Sequence, residues 1–171
     1  SGSILRIERG TVYIRLPDIE AILPFKEQIP GEKYVIGRRI RAYLLEVQKT
    51  TKEPLIILSR SHPGFMKRLF ELEVPEIKDG SVEIINIVRE AGVRAKVAVH
   101  SNYSEIDPIG ACIGFKGVRI QNIINELNGE KIDLILRSKD PAEYIARSLS
   151  PAKPIRVELI EEEKRAIVIV P

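Results

Sequence analysis

The feature that most restricts the fold of this 171-residue chain is the run Ile109-Gly110-Ala111-Cys112-Ile113-Gly114-Phe115-Lys116-Gly117-Val118-Arg119-Ile120-Gln121. An apolar stretch breaks at Gly-Phe-Lys-Gly and resumes at once with helical spacing at Val118, Ile120, Ile123, Ile124 and Leu127. Ahead of it, Asp107-Pro108 reads as an N-cap followed by a proline at the first helical position, so the turn joins two helices. Two glycines three apart let the backbone turn tightly and approach a partner without Cβ atoms in the way. Lys116 puts a cation at the tip, and the second helix brings unpaired N–H groups and its positive dipole end to the same place. Backbone donors, a cation and no side-chain bulk suit a sugar-phosphate backbone. A lone Gly-x-x-Gly is more often an ordinary turn; the flanking helices single this one out.

The first 60 residues follow another period. Ile4–Ile7 and Thr11–Leu16 alternate apolar and polar residues around Arg9-Gly10, a hairpin signal. Ala21–Pro24 is a third short strand, Phe25–Gln28 a helical turn or loop, and Arg39–Val47 one longer strand. Pro54–Ser59 is a fifth, after the turn Thr50–Glu53. Five short strands in about 55 residues predict a small closed barrel of the OB type over residues 1–60. Such barrels hold single strands by stacking bases on surface aromatics beside basic side chains, worth ~1–3 kcal/mol per base. The candidates are Tyr13, Phe25 and Tyr43, with Arg15, Arg41 and Lys49 near them in the pattern. An aromatic in a strand serves a core equally well, and Arg38, Arg39 and Arg41 also fit a solvated face. Ser1-Gly2-Ser3 reads as an expression scar on a first strand clipped at its start, so the chain is expected to be a fragment.

Residues 61–153 return to mixed periods. Phe65, Leu69, Phe70, Leu72 and Val74 recur near helical spacing until Pro75. Val82–Val88 and Arg94–His100 form a hairpin in which Ala95, Val97 and Val99 share one face and Lys96, Ala98 and His100 the other. After the helix–turn–helix unit come a strand, Ile132–Arg137, and a last helix, Ala142–Leu149, capped by Asp140-Pro141. Helix, strand, strand, helix, GxxG, helix, strand is the order of the prokaryotic (type II) KH domain, whose GxxG loop clamps about four nucleotides of single-stranded nucleic acid. The fold class is thus an all-β OB barrel followed by an α+β KH domain. Residues 154–171 add only a hairpin, Ile155–Leu159 with Ala166–Val170.

The wording of the chain is more specific than its topology. Glu20-Ala21-Ile22-Leu23-Pro24 and Ile56-Ile57-Leu58-Ser59 resemble S1-type OB domains. Ser59–Pro63, Leu69–Ile77, Arg89–Gly92, Asp107–Cys112 and Asn125–Asp133 resemble the NusA family of bacterial transcription factors over nearly the whole chain. The resemblance implies binding to nascent single-stranded RNA. With RNA polymerase and other transcription factors, it implies a part for the whole protein in pausing, termination and antitermination. It implies that Gly114, Phe115, Lys116 and Gly117 clamp phosphates, with Ile113, Arg119, Ile120 and Gln121 facing the nucleotides and Arg94, Lys96 and Arg137 adding contacts. The chain departs from the family in lacking the polymerase-binding domain, in carrying Phe115 where the clamp usually has proline, and in stopping after the opening hairpin of a second KH domain.

Composition excludes more than it assigns. A net charge of +3 is small, but residues 1–60 carry 11 Lys and Arg against 7 Asp and Glu, so local placement of charge governs nucleic-acid affinity. One cysteine forbids an intrachain disulfide and fits a cytoplasmic setting; Cys112 falls in an apolar run and is expected to be buried. No apolar stretch reaches membrane-spanning length. Two scattered histidines offer neither a metal cluster nor a catalytic arrangement, and Glu161–Glu163 reads as a hairpin turn. The expectation is a monomeric, non-enzymatic RNA-binding module without cofactor. Two rivals are an S1/KH module of an RNA-degradation machine (polynucleotide phosphorylase or exosome-cap type) and a protein-binding scaffold in which GxxG is only a turn.

Overall fold

The computed structural model describes residues 1–171. The N-terminal alternation becomes the hairpin β1 (Gly2–Glu8) and β2 (Thr11–Arg15), turned at Arg9 and Gly10, both at positive φ. With β3 (Glu20–Leu23), β4 (Arg39–Ile40), β5 (Tyr43–Gln48) and β6 (Leu55–Ser59) these form a six-stranded sheet in the order β4-β1-β2-β3-β6-β5, with β3 and β6 parallel. The expected single strand 39–47 is therefore two. Its first piece pairs with β1 and its second with β6, at opposite edges of the sheet, so Arg41-Ala42 is the corner that curls the sheet back on itself. Ile4, Val12, Ile14, Ala21, Leu23 and Leu58 fill the inside.

The first residues, read above as an expression scar, take part in the sheet. Gly2 and Ser3 are strand residues, Gly2 paired with Ile40 and Ser3 with Arg15 and Arg39. A Cβ at Gly2 would lie 2.4 Å from the Arg15 carbonyl oxygen, so the close approach of the strands requires glycine.

The second half begins with α1 (Pro63–Glu73), capped by His62, whose Nδ1 accepts from the Gly64 N–H. Pro75 ends that helix as expected but also opens a short one, α2 (Pro75–Lys78). The hairpin β7 (Val82–Glu90) and β8 (Arg94–Ser101) is extended by β9 (Lys131–Leu136), parallel to β8. Between them lie α3 (Pro108–Ile113), the GxxG turn and α4 (Val118–Glu126). Helices α1, α3 and α4 cover the face of β8 that carries Ala95, Val97 and Val99, together with Phe65, Met66, Leu69, Phe70, Cys112, Ile123 and Leu127. Helix α5 (Pro141–Ser148) follows, and the hairpin β10 (Arg156–Ile160) and β11 (Arg165–Ile169) packs on it through β10.

The two halves share apolar packing. Ile29, from the barrel's long loop, is 1% exposed within the helical core, and Tyr43 packs against the same cluster while stacking on His62. Arg60, at the end of β6, is 2% exposed between them.

Candidate nucleic-acid interface

Helix α3 ends where Gly114 takes φ 76°, ψ 175°, and Lys116 and Gly117 then both adopt positive φ (51° and 74°) before α4 starts. A β-branched residue would not hold this path, and the two glycines hold it with little strain. The tip stands clear of the protein: Phe115 is 82% exposed, and the Lys116 ammonium lies 5.4 Å from its ring centroid. An exposed ring beside a cation offers a stacking face and a phosphate partner in one turn.

Arg119, expected to face the nucleotides, is engaged within the protein. Its Nη1 donates to Glu76 Oε2 (3.0 Å) and to the Ala111 carbonyl (2.8 Å), tying the end of α3 to α2. Its stem lies against Gly114, where a Cβ would come within 2.6 Å of Arg119 Cγ. Arg119 therefore braces the turn from behind. Ile113 is 38% exposed beside the clamp, Ile120 packs on the core, and the exposed Gln121 donates to Asn125 Oδ1 at 2.8 Å.

The basic residues of the sheet form a separate group. Arg94 and Lys96 flank Asp133 on β9 at 3.6 and 3.8 Å. Lys96 Nζ also donates to the carbonyls of Ser148 and Ser150, both at 2.7 Å, so it closes the C-terminal end of α5. Arg137 is exposed and has no carboxylate partner.

On the barrel, Tyr13 lies under the Arg6 guanidinium at 3.9 Å, and Tyr13 and Arg15 line one concavity of about 900 Å³ with Lys52 and Leu55. Phe25 is 77% exposed, with Gly10 against its ring. Tyr43, stacked on His62 at 5.1 Å, has one face covered at the junction. Lys49 is exposed. Arg41 sits at the other end of the barrel, 3.9 Å from Glu126 of α4.

Sequence reasoning missed the junction. Arg60 Nε and Nη2 grip Glu32 (2.8 and 2.5 Å), Nη1 reaches Glu126 Oε1 (3.0 Å) and the Arg41 carbonyl (2.6 Å), and Nη2 also reaches the Glu126 carbonyl (2.8 Å). Burial pulls the Arg60 pKa down, but Glu32 and Glu126 outweigh it and the net direction is up. A second buried pair, Arg89 Nε with Glu130 (2.9 Å), holds the β7–β8 turn, since Glu130 also accepts from the Gly92 N–H. Gln121, Asn122 and Asn125 share one face of α4, while the residue of this helix that reaches the junction is Glu126, in its last turn.

A curled β-barrel sharing packing with a three-stranded KH sheet, and an open GxxG turn at the tip, define the class: a tandem S1–KH module. The S1 RNA binding domain family matches residues 1–61 and the NusA-like first KH domain family matches residues 60–137. Over the segment it spans, the chain belongs to the NusA family. It is 53% identical to the transcription termination/antitermination protein NusA of Halalkalibacterium halodurans, over 100% of the chain and 45% of that protein. For the same-named protein of Bacillus subtilis the identity is 50%, over 100% and 46%. For that of Thermus thermophilus it is 50%, over 98% and 44%. The chain thus spans about half the length of these relatives.

Proposed function

We propose that this chain is a non-enzymatic RNA-binding segment of a transcription factor. It holds nascent single-stranded RNA at the turn Gly114–Gly117, and the barrel face around Tyr13, Arg15 and Phe25 takes a further stretch. Within the whole protein it acts with RNA polymerase and other transcription factors in pausing, termination and antitermination. The setting is cytoplasmic and the chain monomeric. Residues 1–60 and 61–153 serve as two RNA-binding domains, and 154–171 as the opening of a second KH domain. The observation that carries the reading is the clamp itself: two positive-φ glycines flanking an exposed phenyl ring and an ammonium. The names of the relatives favour a transcription factor over an RNA-degradation machine.

The test is titration with a single-stranded RNA of about four nucleotides, the footprint of one KH clamp, using the wild type and Phe115→Asp/Lys116→Asp. Both positions are exposed, so the fold should survive. Two carboxylates at the tip should abolish most of the affinity. Equal binding by both proteins refutes the clamp.

A further inference from the structure

Helix α4 runs out into Glu126-Leu127-Asn128-Gly129-Glu130, which contains the one asparagine of the chain that glycine follows. Asn86, Asn102, Asn122 and Asn125 are followed by Ile, Tyr, Ile and Glu, whose side chains crowd the next backbone nitrogen. At Gly129 nothing crowds it, and even a built Cβ would meet no atom within 4 Å. A side-chain amide beside an unhindered backbone nitrogen is the arrangement from which asparagine loses ammonia.

The folded chain withholds that nitrogen. Asn128 and Gly129 both take positive φ, 58° and 85°. The Gly129 N–H donates to the Ile124 carbonyl at 2.9 Å and the Asn128 N–H to the Asn125 carbonyl at 3.3 Å, a Schellman cap on α4. Both flanks of the cap are held by buried arginines. Glu126 gives its carboxylate (3.0 Å) and its carbonyl (2.8 Å) to Arg60, and the next residue, Leu127, is 0% exposed. On the other side Glu130 is bound by Arg89 Nε at 2.9 Å and by the Gly92 N–H at 2.6 Å. Asn128 itself is open to water. The Gly129 nitrogen reaches the Asn128 side-chain carbon only after its bond to Ile124 breaks.

We propose that Asn128 is a deamidation site, closed by the α4 cap and opened when the barrel junction at Arg60 loosens. The Gly129 nitrogen attacks Asn128 Cγ and gives its proton to hydroxide. The new N–C bond forms as the bond from Cγ to the side-chain nitrogen breaks, and that nitrogen takes a proton from water and leaves as ammonia. Water then adds to either carbonyl of the cyclic imide, giving aspartate or, with the β-carbon in the main chain, isoaspartate. The sum is one water consumed and one ammonia released. Either product puts a carboxylate between Glu126 and Glu130, at the helix end where the dipole disfavours negative charge. Isoaspartate also lengthens the backbone between Leu127 and Gly129, which breaks the spacing that the cap requires. Each reaction therefore weakens the hold of α4 on Arg60 and favours further opening.

The experiment incubates the protein at mildly alkaline pH, in native buffer and in guanidinium chloride. Peptide mapping by mass spectrometry follows the conversion of amide to acid at position 128. The native protein should react at least about fivefold more slowly than the unfolded chain, the protection that one net hydrogen bond gives. Arg60→Lys keeps a cation but not the fork that reaches both oxygens of Glu126, and should speed the native reaction by about the same factor. Where Arg60→Lys lacks a native far-UV spectrum, hydrogen exchange at the wild-type Gly129 amide decides instead, and that amide should be protected. Aged wild type should melt at a lower temperature than fresh protein. Asn128→Gly, which suits the left-handed position, should not change on ageing. Equal rates in the native and unfolded states overturn the proposal, as does an amide at 128 that survives in guanidinium chloride. So do a folded Arg60→Lys that reacts at the wild-type rate, a freely exchanging Gly129 amide, and an Asn128→Gly that ages like the wild type.

Discussion

Replacing Arg60 by methionine probes the junction most directly. The side chain is 3% exposed and makes five hydrogen bonds, to Glu32, Glu126 and two carbonyls. Removing one partner of a buried pair costs about 3–5 kcal/mol, chiefly because the surviving charge is left without compensation. Here Glu126 is 26% exposed and keeps Arg41 at 3.9 Å, so water and that arginine relieve one carboxylate. Glu32 is 12% exposed and keeps only the Tyr34 hydroxyl, at 2.7 Å. The expected loss is therefore at the low end, about 3 kcal/mol. With a urea m-value near 2 kcal/mol/M, the unfolding midpoint followed by far-UV circular dichroism should fall by about 1.5 M. Adding Glu32→Gln to Arg60→Met should recover about 1–2 kcal/mol by removing the orphaned charge. A loss below about 1 kcal/mol, the value of a surface pair, or no recovery in the double variant would refute the account of the junction.

Two further outcomes follow from the clamp and its surroundings. Gly117→Ala meets no atom within 4 Å and should cost only the strain of a left-handed alanine, about 1 kcal/mol. Gly114→Ala must also adopt φ 76°, ψ 175°, a region essentially confined to glycine, and displace Arg119, so its melting temperature and RNA affinity should both fall further; equal effects at the two glycines would refute this account of the turn. Burial first, and then Glu76, pushes the Cys112 thiol up to about 12, with Arg119 opposing. The native protein should not react with a thiol reagent at pH 8, and the unfolded chain should react once. Because the folded state holds the proton more tightly, this site costs no stability below the ordinary thiol pKa. Stability should fall as pH rises from about 9 toward 12, and should fall less in Cys112→Val. A native thiol that reacts at pH 8 would show the site to be open.

What was legible in the sequence is what local chemistry determines. The helix–turn–helix unit was readable because Asp107, Pro108 and the glycines act on their immediate neighbours: the Asp107 side chain accepts from the Ile109 N–H, as its position implied. The split of 39–47 was not, because its alternation runs on through Arg41-Ala42; only closure of the sheet, which pairs one half with β1 and the other with β6, decides where it bends. The strand role of Gly2, within a segment read as an expression scar, was not legible because its constraint comes from Arg15 across the hairpin. Of the candidate site residues, those in the turn are presented outward. Arg119 and Lys96 found partners far off in sequence, Glu76 at a separation of 43 residues and Ser148 at 52. A cation's sequence neighbours indicate that it is near a site, but not which carboxylate or carbonyl reaches it first.

That distinction changes where affinity for a strand resides. Beside the clamp Arg119 is paired with Glu76; on the sheet Arg94 and Lys96 are paired with Asp133, and Lys96 also caps α5. Lys116 is left as the cation at the tip, so a clamp acting alone adds about one phosphate, or ~0.7, to the salt slope. Under the proposed reading, stacking on Phe115 and backbone approach at the glycines would carry the rest, and both are tolerant of sequence. Besides Arg137, free positive charge lies on the barrel, at Arg15, Lys33, Arg38 and Arg39, beyond the junction that Arg60 closes. With Ile29 inside the helical core, the barrel and the helical half share apolar packing. In the proposed function a strand held at the tip would also be within the same molecule as the barrel's cations. A second contact would then be intramolecular, and two modest sites would gain affinity without new contacts at either. The buried ion pairs of Arg60 with Glu32 and Glu126 tie the barrel to α4, across which such a linkage would act.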